Sequence, residues 1–272
     1  MYPTIFKIGD FAIHSYGLMM ALGFLCAWHI AAKLQKKSGT IKIDLSNLLF
    51  LLMVAGVLGS RVYYVIQFWH EQFAGNLLEI IRIDHGGLVF YGGLICSIAT
   101  CILYCIVRKV PLVPLGDLLL CVVPLGHAFG RIGCFLNGCC YGELASKCGK
   151  VGELFNVSFP PGSPAYEEQL RNGLIFPSAT CSMPVLPTQI FEAVLNLILA
   201  AVLIFVYAKT KGREKGLTIA GYFTGYGAVR IAMELLRGDV RAGGIAISCA
   251  LIVAGIGFIC WRRFSGKETV QG

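Results

Sequence analysis

The chain has 272 residues, of which 56% are hydrophobic and only 14% are charged, whereas about 25% of residues in a soluble domain carry charge. Its mean hydropathy is +0.72. The formal net charge of +8 does not indicate nucleic-acid binding, because the basic residues fall in short segments between apolar stretches rather than in one patch. Composition therefore predicts a membrane protein.

Seven apolar segments are each long enough to cross a bilayer as a helix, which takes about 20 residues. None shows the alternating pattern of an outer-membrane barrel strand. Because unpaired backbone groups are costly in hydrocarbon, the segments are expected to be helical. We predict an all-α polytopic membrane protein with a single integral membrane domain over residues 1–272. The seven predicted spans cover residues 11–32, 45–69, 88–107, 115–133, 189–208, 216–236 and 244–261.

Lys and Arg residues gather at alternate ends of these spans, as the positive-inside rule expects of cytoplasmic loops. The first such group, Lys33, Lys36, Lys37 and Lys42, follows the first span. The pattern predicts an N-terminus outside and a cytoplasmic C-terminus. It also places residues 134–187, which are rich in Pro, Gly and Ser, in an outward-facing loop region between the fourth and fifth spans.

Ionisable side chains inside a membrane span are costly and are functional candidates by default. In the predicted orientation, five of the spans carry such residues or tyrosines in the same outer half of the membrane. Arg230, Glu234 and Arg237 follow one face of the sixth span at i, i+4 and i+7. A polar face of this kind is expected to look into the helix bundle. The other candidates are Tyr16, Arg61, His85, Tyr91, His127 and Arg131.

Each candidate also has a structural interpretation. Arg131, at a span end, is also consistent with a snorkelling anchor. Arg61 and Arg230 lie deeper and are also consistent with paired arginines that fix helix packing, with Glu234 as the partner of Arg230. Tyr16 is equally typical of an interfacial aromatic residue.

Glycines are frequent around Arg131 and on both sides of Tyr91. In a span they permit close helix packing, whereas at a span end they let backbone N–H groups approach an anion. Guanidinium groups match phosphate oxygens bidentately. An arginine-rich site in the outer leaflet therefore indicates a phospholipid headgroup, with Arg131 as a phosphate ligand.

Seven of the twelve cysteines lie inside predicted spans, where cysteine behaves as a small apolar residue. The other five fall on the outer side, where a disulfide is tolerated. A zinc site would normally add histidines at ligand spacing, which the sequence lacks. The five outer cysteines are Cys134, Cys139, Cys140, Cys148 and Cys181.

The segment GRIGCFLNGCCYG, residues 130–142, resembles the signature G-R-x-G-N-F-x-N-G-E-x-x-G of the bacterial prolipoprotein diacylglyceryl transferases. The resemblance continues in the same order over essentially the whole chain. Its further segments are HSYGLMMALGF, LGSRVYYV, GGLVFYGGLI, LPTQIFEA and YGAVRIAMELLRG.

This resemblance implies an enzyme of the bacterial cytoplasmic membrane that uses no metal or organic cofactor. It would transfer the diacylglyceryl group of phosphatidylglycerol to the lipobox cysteine thiol of a prolipoprotein and release glycerol 1-phosphate. By position, Arg131 and Arg230 would handle the phosphate. The expected catalytic set is Arg131, Arg230, Tyr91 and Glu234, and the expected substrate-binding set is Arg131, Tyr16, Arg61, Asn137, Gly142 and Arg237.

The sequence departs from the family pattern at three places. Tyr91 replaces a histidine that is a proposed base, and a tyrosine is a poor base at neutral pH. Cys134 and Cys139 replace the signature's first Asn and its Glu, which leaves Asn137 and Glu143 as substitutes beside Arg131. We expect these cysteines to be replacements within the signature, with a disulfide among them left open, because the nucleophilic thiol comes from the substrate.

The implied chemistry agrees with the residues. Positioned arginines stabilise the charge that develops on a leaving phosphate, and they favour thiolate over thiol. A divergent family member that uses phosphatidylglycerol with another acceptor thiol is the main alternative. An anion or lipid transporter is disfavoured, because the inner halves of the spans are nearly free of charge.

Overall fold

The computed structural model describes residues 4–8, 11–73, 75, 77–82, 87–213, 215–236 and 244–265. The chain packs as two compact units. The larger unit consists of Met1–Thr40 with Gly116–Gly272, and the smaller unit is Ile41–Leu115. The single domain expected from the sequence therefore stays a prediction.

Helices dominate the described ranges, in agreement with the composition. Within those ranges, the α-helices are α1 (Ser15–Ser38), α2 (Leu45–Gln67), α3 (Phe90–Arg108), α4 (Leu112–Leu120), α5 (Val123–Asn137), α6 (Gly149–Leu154), α7 (Pro164–Arg171), α8 (Thr188–Thr210), α9 (Leu217–Leu236) and α10 (Gly244–Ser265).

A short antiparallel hairpin precedes α1. It pairs β1 (Thr4–Ile8) with β2 (Phe11–His14). This hairpin is a local exception to the predicted all-α architecture. The first span was placed too early, because the apolar sequence of β2 runs directly into the helix. Hydropathy alone does not distinguish a short apolar strand from helix.

Six helical segments in the described part of the chain are long and apolar enough to cross a membrane. Their positions agree with six of the seven predicted spans, and α4 and α5 together form one of them, Leu112–Asn137. The remaining predicted span corresponds to α9, a 20-residue helix. Its tyrosines and its Arg230 and Glu234 make α9 more polar than the other six. A multi-pass membrane protein is thus supported.

Within the larger unit, α5 packs against α1 and α8, and α9 packs against α8 and α10. Small residues allow the close approach of α1 and α5. A Cβ on Gly23 would lie 2.8 Å from Cβ of Phe129, and a Cβ on Gly133 would lie 3.1 Å from Cδ2 of Tyr16. These glycines are therefore required for helix packing, as is common in membrane proteins.

The smaller unit consists mainly of α2 and α3, which pack through glycines. A Cβ on Gly59, Gly92 or Gly93 would collide with the facing helix. The backbone N–H of Val89 also donates to the carbonyl of Ser60, at 3.2 Å. The glycines that follow Tyr91 thus serve close helix packing, one of the two functions that the sequence left open.

The predicted outward loop region begins later than expected, because α5 continues to Asn137. The segment 138–187 is folded around a small core of Phe159, Ala165 and Val185. Val185 also forms isolated bridges with Leu144 and Val157. This segment returns the chain to the start of α8.

Asp117 of α4 connects that helix to the start of α9. Its buried carboxylate accepts hydrogen bonds from the backbone N–H of Ile219 at 3.0 Å and from Oγ1 of Thr218 at 2.7 Å. It also accepts one from the N–H of Gly216. A carboxylate at a helix N-terminus satisfies unpaired N–H groups and interacts favourably with the helix dipole. Asp117 therefore fixes the first turn of α9.

Substitution of Asp117 by Asn is expected to lower the free energy of unfolding in detergent by about 1–3 kcal/mol, because the amide keeps one acceptor oxygen and turns an NH2 group toward backbone donors. Asp44 caps α2 from an exposed position through the N–H of Asn47, so Asp44→Asn is the matched control. Asn and Asp cap helices about equally well. Equal losses in the two variants, measured by denaturant titration, would contradict this account.

Candidate functional site

The two arginines of greatest interest contact one carboxylate. Nε of Arg131, on α5, lies 3.0 Å from Oε2 of Glu192, on α8. Nη1 of Arg230, on α9, lies 3.6 Å from Oε1 of the same residue. Three helices that are separate in the sequence therefore bring two guanidinium groups to opposite oxygens of Glu192.

Glu192 is nearly inaccessible, with 3% of its surface exposed. Glu192 lies in the family-like segment LPTQIFEA and was not among the predicted site residues. Its position, in the second turn of an apolar helix, is the signal that was missed, because an ionisable residue inside a span is a functional candidate by default.

Arg230 and Glu234 form the ion pair that their spacing suggested. Nη2 of Arg230 lies 3.4 Å from Oε2 of Glu234. The other oxygen, Oε1, is buried and has no hydrogen-bond partner among the described residues. Gly244, at the start of α10, lies directly against this carboxylate. Glu234 is therefore held at the same end of α9 as Arg230.

Aromatic rings extend the site along α9. The rings of Tyr222 and Tyr226 stack with centroids 5.6 Å apart and planes 5° apart. The imidazole of His127, on α5, lies 4.8 Å from the ring of Tyr226. His127 therefore lies at the contact between α5, which carries Arg131, and α9, which carries Arg230.

Tyr16 lies at the first turn of α1 and packs against Gly133 of α5. It lies within electrostatic range of Arg131 and Cys134, and 44% of its surface is exposed. The structure therefore brings Tyr16 to the same end of α5 as Arg131.

Asn137 is the last residue of α5, and the turn after it is fixed by the first turn of α8. Nε2 of Gln189 donates to the carbonyl of Cys139 at 2.8 Å. The N–H of Gly142 donates to the carbonyl of Leu186 at 2.9 Å, and a Cβ at Gly142 would collide with Leu186. Asn137 and Gly142 thus lie beside the two helices that carry Arg131 and Glu192.

Glu143 does not replace the missing signature carboxylate in the expected way. Its Oε1 lies 3.1 Å from Nζ of Lys147. The carboxylate that binds Arg131 is Glu192 instead. Glu192, from a distant helix, thus pairs with Arg131 in place of Glu143, the neighbour that was predicted from the sequence.

Arg61 is buried and is bound by backbone carbonyls. In the smaller unit, its guanidinium donates to the backbone carbonyls of Ile80 at 3.0 Å, Glu79 at 2.5 Å, Arg82 at 2.8 Å and Gly87 at 3.2 Å. It also lies over the rings of Tyr64 and Phe73. A buried guanidinium with these partners stabilises the connection between α2 and α3. These contacts agree with the structural interpretation of Arg61, and its substrate-binding role stays a prediction.

Tyr91 lies near the start of α3 with 63% of its surface exposed, and its ring contacts that of Phe90. These contacts neither assign nor exclude a catalytic role. Arg237 and His85, which the sequence also selected, lie outside the described residues.

The charges at this site are balanced when all four groups are ionised, because Arg131 and Arg230 face Glu192 and Glu234. Such buried pairs are strongly destabilised when one partner is removed. Arg131 contacts Glu192 through Nε, and a guanidinium carries further N–H donors that can bind an anion. The arrangement is suited to binding a phosphate that gains charge during a reaction.

Comparisons with known proteins agree with the residue-level resemblance. The sequence model of the family described as Prolipoprotein diacylglyceryl transferase matches residues 3–261. Among curated relatives, the phosphatidylglycerol–prolipoprotein diacylglyceryl transferase of Rhodospirillum rubrum is 32% identical over 96% of this chain and 92% of its own. The protein of the same name from Rickettsia africae is 31% identical over 92% of this chain and 89% of its own. The protein of the same name from Pseudoalteromonas translucida is 29% identical over 99% of this chain and 97% of its own.

Replacement of Glu192 by Gln is expected to lower the free energy of unfolding by about 3–5 kcal/mol, because two buried guanidinium groups lose their shared counter-charge. Glu143→Gln is the matched control, since it breaks a pair with Lys147 at a more exposed site. The control is expected to lose at most about 1 kcal/mol. Denaturant unfolding in detergent measures both. A loss at Glu192 no larger than at Glu143 would argue against the bridge.

Proposed function

Because the chain belongs to the prolipoprotein diacylglyceryl transferase family, we propose that it transfers the diacylglyceryl group of phosphatidylglycerol to a prolipoprotein. The acceptor is the thiol of the lipobox cysteine, and the second product is glycerol 1-phosphate. The observation that carries this proposal is the contact of Arg131 and Arg230 with the two oxygens of Glu192.

The arginines are proposed to act on the phosphate. The acceptor sulfur attacks a glycerol carbon and forms an S–C bond. The bond between that carbon and the phosphate ester oxygen breaks, and its electron pair remains on the oxygen. A diester carries about −1 charge, whereas the monoester that leaves carries about −1.5 to −2. Arg131 and Arg230 therefore interact more strongly with the transition state than with the bound lipid, which lowers the barrier.

Glu192 prepares the arginines for this role. Two guanidinium groups repel each other, and the repulsion is larger where water is excluded. The carboxylate between them offsets that repulsion and fixes the orientation of both before the lipid binds. Tyr16, Asn137 and Glu234, which lie near the ends of α1, α5 and α9, and Gly142, which follows α5, complete the proposed site. Arg237 is included by its position in the family-like segment YGAVRIAMELLRG.

The proposed site requires a particular orientation in the membrane. We propose seven spans, with α9 as the sixth along the chain, an N-terminus outside and a cytoplasmic C-terminus in the bacterial inner membrane. A 20-residue helix is about 30 Å long, which suffices for a bilayer, and α9 packs between α8 and α10. This orientation exposes the site to lipid and precursor on the outer side.

Arg131→Ala is expected to lower the rate of transfer at least about 100-fold, because it removes a donor to the developing phosphate charge. Arg171→Ala, at the exposed C-terminal end of α7, is the matched control and should keep full activity. The assay incubates the purified protein with phosphatidylglycerol and a lipobox peptide and measures the mass of one diacylglyceryl unit on the peptide cysteine. Circular dichroism of each variant confirms folding.

Two results would contradict the proposal. Full activity of a folded Arg131→Ala variant would remove the phosphate role of Arg131. No modified peptide from the folded wild-type protein would remove the transferase assignment. Modification of other thiols, with the lipobox peptide left unchanged, would instead identify a divergent acceptor.

The orientation is tested by alkaline phosphatase fusions, which are active only outside the cytoplasm. A fusion within segment 138–187 is expected to be active, whereas one in the loop between α1 and α2 is expected to be inactive, because that loop carries the lysines that favour the cytoplasm. The reverse pattern would overturn the orientation and the outer position of the site.

A further inference from the structure

Three cysteine thiols meet beside Arg131. Cys134 lies in the last turn of α5, and Cys139 and Cys140 follow in the turn after it. Their Sγ atoms all lie within 4.8 Å of one another, and all three residues are partly buried. Arg131 lies within electrostatic range of Cys134 and Cys140. The sequence spacing is not that of a C-x-x-C motif, so the cluster is visible only in the fold.

The scaffold fixes the turn that carries two of these thiols. Gly138 and Cys140 both have left-handed backbone angles, with φ of 76° and 59°. A non-glycine residue keeps this conformation only when its surroundings impose it. Here Gln189 and Thr188 of α8 donate to the carbonyls of Cys139 and Cys140, at 2.8 Å and 3.4 Å. The thiols of Cys139 and Cys140 are therefore placed by contacts with a second helix.

We propose that Cys134, Cys139 and Cys140 bind one Zn²⁺ ion as thiolates, and that the open fourth position binds the thiol of the acceptor cysteine. Two sulfurs on a tetrahedral zinc ion with bonds of about 2.3 Å lie about 3.8 Å apart. The observed cluster accommodates that spacing within its 4.8 Å limit. Three protein ligands and one open position are the usual arrangement of a catalytic zinc site.

The ligand set favours this ion. Thiolates select zinc or Cu(I) over hard cations such as Mg²⁺, and zinc is redox-inert, so it does not oxidise the thiols. Three thiolates and one Zn²⁺ sum to a single negative charge, which would lie within electrostatic range of Arg131. The resemblance to the family implied no metal, but two of the three ligands, Cys134 and Cys139, stand where this sequence departs from the family signature.

The second half of the proposal rests on the proposed function. In it, the zinc ion deprotonates the acceptor thiol in place of a general base. Cys139 occupies the position of the signature glutamate, and Tyr91 occupies the position of the family histidine. A thiol coordinated to zinc is held as a thiolate, and its proton is released to water. The sulfur then attacks the glycerol carbon and the C–O bond breaks, with the electron pair leaving on the phosphate oxygen bound by Arg131.

The first test measures metal content separately from activity. Protein purified in detergent under a phosphine reductant is equilibrated with Zn²⁺, and zinc per chain is measured by elemental mass spectrometry. About one Zn²⁺ per chain is expected, with almost none in the Cys134→Ser/Cys139→Ser/Cys140→Ser variant or in the single variant Cys140→Ser. Cys148→Ser is the matched control, since Cys148 lies outside the cluster, and it should keep its zinc.

The second test asks whether the acceptor thiol reaches the metal. Co²⁺ in place of Zn²⁺ gives a thiolate charge-transfer absorption band, which should increase when a lipobox peptide is added and should not change with a Cys→Ser peptide. A zinc chelator should lower transfer at least about 10-fold. The variant Cys134→Asn/Cys139→Glu restores the signature residues, so it should bind no zinc. Its rate of transfer should then be the same with and without the chelator.

Each outcome decides one part of the proposal. An active, folded wild-type protein that binds no zinc would overturn the metal site while the proposed function stands. The metal site would also be overturned by two results together. Protein isolated without reductant would contain a disulfide among the three cysteines, and the reduced protein would fail to bind zinc. Zinc binding with transfer unaffected by the chelator would overturn the role in thiol binding. Absence of transfer in every variant and metal state would overturn the proposed function, whatever the zinc content.

Discussion

The interaction on which the site depends is the double contact of Glu192 with Arg131 and Arg230. A single carboxylate with 3% exposure binds one guanidinium through each of its oxygens. Neither arginine could be held near the other in a low-dielectric environment without such a counter-charge, because the mutual repulsion and the loss of hydration would both be unfavourable. The unfavourable free energy of placing the two guanidinium groups close together is therefore offset during folding. Phosphate binding then requires no further rearrangement of the arginines.

The fold holds this carboxylate and its partners from two directions. The turn after α5 is tied to the first turn of α8 by Gln189, which fixes Arg131 against Glu192. Helix α9 is anchored near its start by the buried Asp117 and near its end by the pairs of Arg230. Glycines between α1 and α5 let these helices approach closely enough to place Tyr16 at the same site. Helix packing and charge pairing thus support one another.

Much of this could be predicted from the sequence, because hydropathy and the cost of intramembrane charge act locally. Six spans, the Arg230 and Glu234 pair and the importance of Arg131 followed from those rules. Contacts between distant segments did not follow. Glu192 was missed as the shared partner, and the carbonyls 18 to 26 residues away that bind Arg61 were not predicted. The thiol cluster was missed for a different reason, since its three cysteines are close in the sequence but their spacing matches no metal motif.

The most direct test of the central claim is a structure of the protein in lipid nanodiscs that contain phosphatidylglycerol, determined by electron cryo-microscopy. The account predicts one lipid phosphate whose oxygens lie about 2.7–2.9 Å from guanidinium nitrogens of both Arg131 and Arg230, with Glu192 still between the two side chains. A phosphate bound away from this pair, or arginines that separate when the lipid binds, would contradict it.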